Sequence, residues 1–125
     1  MAQRDVYGAL LDTDSAASTD PGLGERYVYR DRERVLDYLT RYPHLVAILR
    51  EADPEIAKRF GEGTNVTLAV EDDVDQIGVE TLWGFIRTTL PARDALDLLR
   101  RLDGEWWIAR SVGVSEELAL YLKFG

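Results

Sequence analysis

Cysteine is absent from the 125 residues, histidine and methionine each occur once, and only four prolines are present. Without cysteine there is no disulfide framework, no zinc ribbon, no thiol nucleophile and no iron–sulfur cluster. A single histidine cannot build a multi-histidine metal site. No apolar run approaches the roughly 20 residues that a bilayer span needs. The short apolar patch from Val6 to Leu11 is flanked by Asp5 and Asp12 and does not resemble a secretory core, so no signal peptide is read and a cytoplasmic location is expected.

What is present is a soluble composition, 46% hydrophobic and 30% charged, in a 14.2 kDa chain of single-domain length. Its formal net charge is −8, which opposes non-specific binding to nucleic acid or to an anionic membrane. The charge is uneven. Residues 61–80 hold Glu62, Glu71, Asp72, Asp73, Asp75 and Glu80 with no base, while residues 81–125 are balanced.

Residues 1–24 combine the Val6–Leu11 patch with a Ser/Thr/Asp/Gly/Pro stretch and read as a mobile tail, leaving 25–125 as one domain. Regular structure is expected to begin near Tyr29. Val35, Leu36, Leu39 and Tyr42 have helical spacing, Pro43 opens a second helix with Leu45, Val46, Leu49 and Ala52 inward, and Asp53-Pro54 punctuates again, with Asp53 as N-cap of a short third helix. The pattern then alternates. Val66, Leu68 and Val70 predict a half-buried strand, Glu71–Glu80 a loop, and Leu82–Thr88 a second strand with Leu82 and Ile86 on one face and Trp83 and Phe85 on the other. Ala92, Ala95, Leu96, Leu99 and Leu102 form a clean helical stripe, broken near Asp103-Gly104 and continued to Arg110, and Leu118–Phe124 is the last strand. The expected fold is α+β, in the order α-α-α-β-β-α-α-β, with a three-stranded sheet covered by helices.

Each cluster with chemical promise has a plain alternative. The acidic segment around Asp72, Asp73 and Asp75 fits a calcium loop begun at Asp73 at positions 1, 3 and 6, but position 12, where a bidentate Glu is required, is Gly84. It reads as a solvated loop or as an acidic surface for a basic partner. Arg26–Arg34 interleaves arginines with Tyr27 and Tyr29, yet Glu25, Asp31 and Glu33 cancel its field, so the reading is a salt-bridged helix face. His44 lacks a nucleophile motif nearby. Trp106 and Trp107 are adjacent, so they point about 100° apart on a helix and at most one lies centrally in the leucine stripe; the other packs beneath a second element or anchors a partner. Trp83, Phe85 and Tyr121 share one sheet face. They are core if helices cover both faces, and an exposed binding patch if helices cover one.

From about Asp37 onward the chain resembles a group of small uncharacterised bacterial proteins. The resemblance lies in Phe85-Ile86-Arg87-Thr88-Thr89-Leu90, Ala95-Leu96, Leu102-Asp103, Trp106-Trp107 and the closing Leu120-Tyr121-Leu122-Lys123-Phe124, and its most specific element is Asp-x-x-Trp-Trp before a final strand. It implies one compact α+β domain and brings no activity, cofactor or catalytic residue.

No catalytic residue, metal ligand or cofactor is assigned from the sequence. The leading expectation is a non-catalytic module that binds a protein partner or itself, as a homodimer, through Trp83, Phe85, Tyr121, Trp106 or Trp107. The second is an acidic regulator of a basic partner, antitoxin-like or inhibitory, steered by Asp72, Asp73 and Asp75. The third is an enzyme or small-ligand protein with a pocket near His44 and the Trp pair.

Overall fold

The computed structural model describes residues 22–125. The expected tail, apart from its last three residues, lies outside the described residues. Leu23 is already buried in the core.

The element order is β1 (Tyr27–Tyr29), α1 (Arg32–Arg41), α2 (His44–Phe60), β2 (Val66–Asp72), β3 (Glu80–Thr88), α3 (Ala92–Leu102), a π-helical turn (Asp103–Trp107), α4 (Ile108–Arg110) and β4 (Leu118–Phe124). The domain is α+β with a four-stranded mixed sheet in spatial order β1-β2-β3-β4. This corrects the three-stranded sheet and the order α-α-α-β-β-α-α-β in two places.

The first correction is β1. Tyr27-Val28-Tyr29 is a strand parallel to β2, with Tyr27 opposite Val66 and Tyr29 opposite Leu68. Three residues are too few to display a period. What fixes them is β2, which takes Val66 N–H to the Arg26 carbonyl and gives the Leu68 carbonyl to Arg30 N–H. The Tyr27 hydroxyl also donates to the Leu49 carbonyl at 2.5 Å, and burial, with Asp53 close by, raises its pKa.

The second correction is at Asp53-Pro54. The second and third predicted helices are one, and α2 runs through Pro54. An interior proline costs a helix about 3 kcal/mol. Here Leu49, Ala52, Ile56 and Ala57 continue one buried face across it, and burial of each large aliphatic returns about 1.5–3 kcal/mol. Asp53 caps nothing; its carboxylate receives the Arg26 guanidinium. Gly61, at φ 111°, closes the helix.

β2 and β3 form an antiparallel hairpin, with Val66 opposite Ile86 and Asp72 opposite Glu80. The strands therefore extend into what was expected to be loop. Asp72 and Glu80 are like charges directly opposed, which alone would splay the ends. Arg34 lies between them, Nη2 reaching Asp72 Oδ1 at 2.7 Å and Glu80 Oε2 at 2.8 Å.

β4 returns parallel to β3, with Leu82 opposite Leu118 and Phe85 opposite Tyr121. The inward residues Val66, Leu68, Val70, Leu82, Ile86, Leu118, Leu120 and Leu122 meet Val35, Leu45, Leu49 and Ile56 of α1–α2 and Ala95, Leu99 and Leu102 of α3 in one core. All the described helices thus sit on one side of the sheet. Both crossovers, β1 to β2 and β3 to β4, step the same way across it while their strands run oppositely. On a shared face they must be of opposite hand, so one departs from the right-handed rule. In the middle of the sheet, Gly84 makes room for Leu120. A Cβ there would stand 2.9 Å from Leu120 Cδ2 and 3.4 Å from Val66 Cγ1.

Candidate functional site

The strand period places alternate residues on the other side of the sheet, where no helix packs among the described residues. Across the strands these are Val28, Thr67, Phe85 and Tyr121 in one row, and Ala69, Trp83 and Ala119 in the next, with Arg87 and Lys123 opposite each other at one end. Trp83 and Phe85 stack with ring centroids 5.7 Å apart and planes 7° apart. The Arg30 guanidinium lies 5.6 Å from the Phe85 centroid while Nη1 pairs with Glu71 Oε2 at 3.0 Å. Trp83 and Phe85 are half-buried, Tyr121 is 50% exposed and Val28 46%. Thr67 and Ala69, expected on a half-exposed face, are buried, because their directly opposed neighbours are Phe85 and Trp83. Trp83, Phe85 and Tyr121 thus come together as the sequence pattern placed them, on the face that the described helices leave open. Arg30, Val28, Arg87 and Lys123 join them. Sequence reasoning passed these over because β1 was not read as a strand and because Arg87 and Lys123 are adjacent only through the β3–β4 register.

Trp106 and Trp107 belong to the other side. Their rings are 5.6 Å apart; Trp107 is buried in the core and Trp106 packs partly buried against it. Nor does His44 meet them. Glu105 is held by Arg59 at 2.8 Å and Arg110 by Glu51 at 2.6 Å, which ties this segment to the middle and end of α2. His44 begins that helix, about 10 Å from Glu51 along the axis at 1.5 Å per residue. Its Nε2 pairs instead with Glu117 Oε1 at 2.6 Å.

The acidic segment is largely spoken for. Glu71 pairs with Arg30, Asp72 with Arg34, and Glu80 with both Arg34 and Arg41. Hydrogen bonds from Arg34 and Arg41 hold the Glu80 carboxyl below its ordinary pKa. Beneath this network the Tyr38 hydroxyl donates to the Glu117 carbonyl at 2.9 Å and lies 3.3 Å from that of Glu80; burial, reinforced by Tyr42 and Glu117, pushes its pKa up to about 12. Asp73 accepts from the Asp75 N–H at 2.8 Å, an Asx turn inside the loop. That loop turns Val74 and Ile77 into solvent, 96% and 106% exposed. Among the described residues no group of three or more His, Cys, Asp or Glu is placed to hold a metal ion, and no helix is long and apolar enough to cross a membrane.

Compared with models of protein families, with curated proteins and with solved structures, the chain matches none.

Proposed function

We propose that this protein is a non-catalytic binding module whose contact surface is the open face of the sheet, with Trp83, Phe85 and Tyr121 as anchors and a protein, either a partner or another copy, as occupant. One observation carries the reading: Trp83, Phe85 and Tyr121 lie side by side, partly exposed, on the face against which no described helix packs. Aromatic residues and arginine are the side chains that most often anchor protein interfaces.

The test pairs the wild-type chain with a Trp83→Ser/Phe85→Ser double variant whose fold is checked by circular dichroism. Chemical cross-linking and light scattering should detect a complex for the wild type that the variant loses. If every complex the wild type forms survives the double substitution unchanged, the reading is refuted.

The loop from Asp73 to Val79 favours a second, acidic-regulator reading, because Val74 and Ile77 are fully exposed beside Asp73 and Asp75. Partner binding at low salt that is indifferent to Asp73→Asn/Asp75→Asn would end it.

A further inference from the structure

The sheet has two edges of unequal length. β1 offers three residues and β4 offers seven. Leu82 N–H donates to the Glu117 carbonyl at 3.0 Å, and Gly125 N–H to that of Thr88 at 3.2 Å. In a parallel ladder the direction alternates residue by residue, so Ala119, Tyr121 and Lys123 face β3 with their backbone groups. Leu120, Leu122 and Phe124 therefore turn their N–H and C=O groups away from the sheet. Leu118 N–H is taken by the Val114 carbonyl at 3.0 Å; among the described residues no hydrogen bond engages the N–H groups of the other three. Such an edge is normally blunted by a proline, a bulge or several charges. Leu-Ala-Leu-Tyr-Leu-Lys-Phe has no proline and one charge, and its pairing with β3 is unbroken from Leu118 to Phe124.

We propose that β4 pairs antiparallel with β4 of a second copy about a two-fold axis through Tyr121, making one continuous eight-stranded sheet. This goes beyond the preceding reading: the contact is the backbone edge of β4 and not the open face, so the two stand or fall separately. The register is self-complementary. Leu120 faces Leu122 of the second copy, Leu118 faces Phe124, and Tyr121 faces itself. The outward groups then exchange about six backbone hydrogen bonds, all between residues whose polar groups already point that way. Lys123 falls opposite Ala119 and not opposite another lysine, so no like charges are directly opposed. Phe124 and Tyr121, each 50% exposed in the single chain, gain apolar neighbours. The contact is isologous and closes on itself, leaving only the short β1 edges at the ends. It also joins the two open faces, so that Trp83, Phe85 and Tyr121 of both copies lie along one surface.

The absence of native cysteine makes a cross-link test clean. In a Tyr121→Cys chain the two thiols lie in directly opposed positions, with Cβ atoms about 4.5–5.5 Å apart, close enough for a disulfide after small adjustment. Mild oxidation should convert it to a covalent dimer. Lys123→Cys should cross-link at least tenfold more slowly, because its copies stand about 14 Å apart at 3.4 Å per residue. Ala119→Glu, facing Lys123 of the second copy, should tighten the wild-type dimer about two- to fivefold, and Ala119→Lys should loosen it by as much. A wild-type mass of one chain at several hundred micromolar, or equal cross-linking at positions 121 and 123, would overturn the proposal. A monomer that still takes a protein partner on Trp83 and Phe85 overturns the edge pairing and leaves the sheet-face reading intact. An edge dimer with no further contact sensitive to Trp83→Ser does the reverse.

Discussion

The two faces of one sheet are built from the same strands and differ in almost everything else. The covered face presents Val66, Leu68, Val70, Leu82, Ile86, Leu118, Leu120 and Leu122, with Tyr27 the one aromatic buried among them, all packed against helices. The open face presents Trp83, Phe85 and Tyr121, with Arg30, Arg87 and Lys123 around them. Aliphatic side chains have little beyond area and shape to offer, and they are spent where both can be filled. Aromatic rings keep a usable π-face when half-exposed. The difference teaches where stability and recognition are kept. The first resides between sheet and helices, and the second faces outward.

The sharpest way to break that division is a matched pair of truncations. Leu68→Ala on the covered face should cost about 2–5 kcal/mol in urea unfolding. Trp83→Ala, losing a larger but half-exposed side chain, should cost clearly less and fall mainly on binding. Equal losses would mean that the open face is also core. Next in size is Gly84→Val, which forces atoms into the space of Leu120 and should cost about 1–3 kcal/mol. Gly84→Ala should cost less, since the end of Leu120 can swing aside. A third probe removes one oxygen: Tyr38→Phe strips the hydroxyl from the Glu117 carbonyl and should lower stability by about 1 kcal/mol.

The smallest effects are electrostatic, and pH separates two of them by sign. Asp103 has its carboxyl pKa raised by burial. Its contribution is therefore present below the ordinary carboxylate pKa and lost as pH rises through the raised value, so Asp103→Asn should modestly raise the melting temperature at pH 7. Glu80 is shifted the other way by Arg34 and Arg41. Its contribution is present above the ordinary carboxylate pKa and lost as pH falls through the lowered one. Glu80→Gln should therefore lower stability slightly at neutral pH, leave it unchanged below the lowered pKa, and so flatten the acid limb of the profile; the effect is small because the group is partly exposed.

Much of the covered face was legible because it is periodic. The alternation of Val66, Leu68 and Val70, and of Leu118, Leu120 and Leu122, fixed which residues point inward before any neighbour was known. The stripe of Ala95, Leu99 and Leu102 did the same for α3, and strand parity put Trp83, Phe85 and Tyr121 together. What escaped was decided by distant residues. β1 exists because β2 offers it an edge, Pro54 stays inside a helix because the core on both sides of it outweighs the local rule, and Asp53 answers to Arg26. Nor does the charge pattern disclose its own pairing. The arginines at 30, 34 and 41 looked like a self-neutralised helix face and the carboxylates at 71, 72 and 80 like a free acidic surface, yet each set largely neutralises the other across some 40 residues of chain. The net −6 of that segment is therefore a poor guide to the field a partner meets, and the uncancelled acid of the hairpin is at Asp73 and Asp75.

The π-helical turn between Asp103 and Trp107 has a consequence for length variation. Ile108 N–H donates to the Asp103 carbonyl, five residues back. Leu102 and Trp107 are both buried although residues five apart stand about 140° from each other around an α-helix. The turn is thus an α-helix carrying one surplus residue, and the surplus is what brings both side chains to the same side. Deleting Gly104, which has no side chain to lose, leaves the two four apart, where an ordinary helix aligns them unaided. A single-residue deletion inside a strand would throw the residues beyond it onto the wrong face; this one restores a regular helix, and it marks a place where chains of 124 and 125 residues can share one fold.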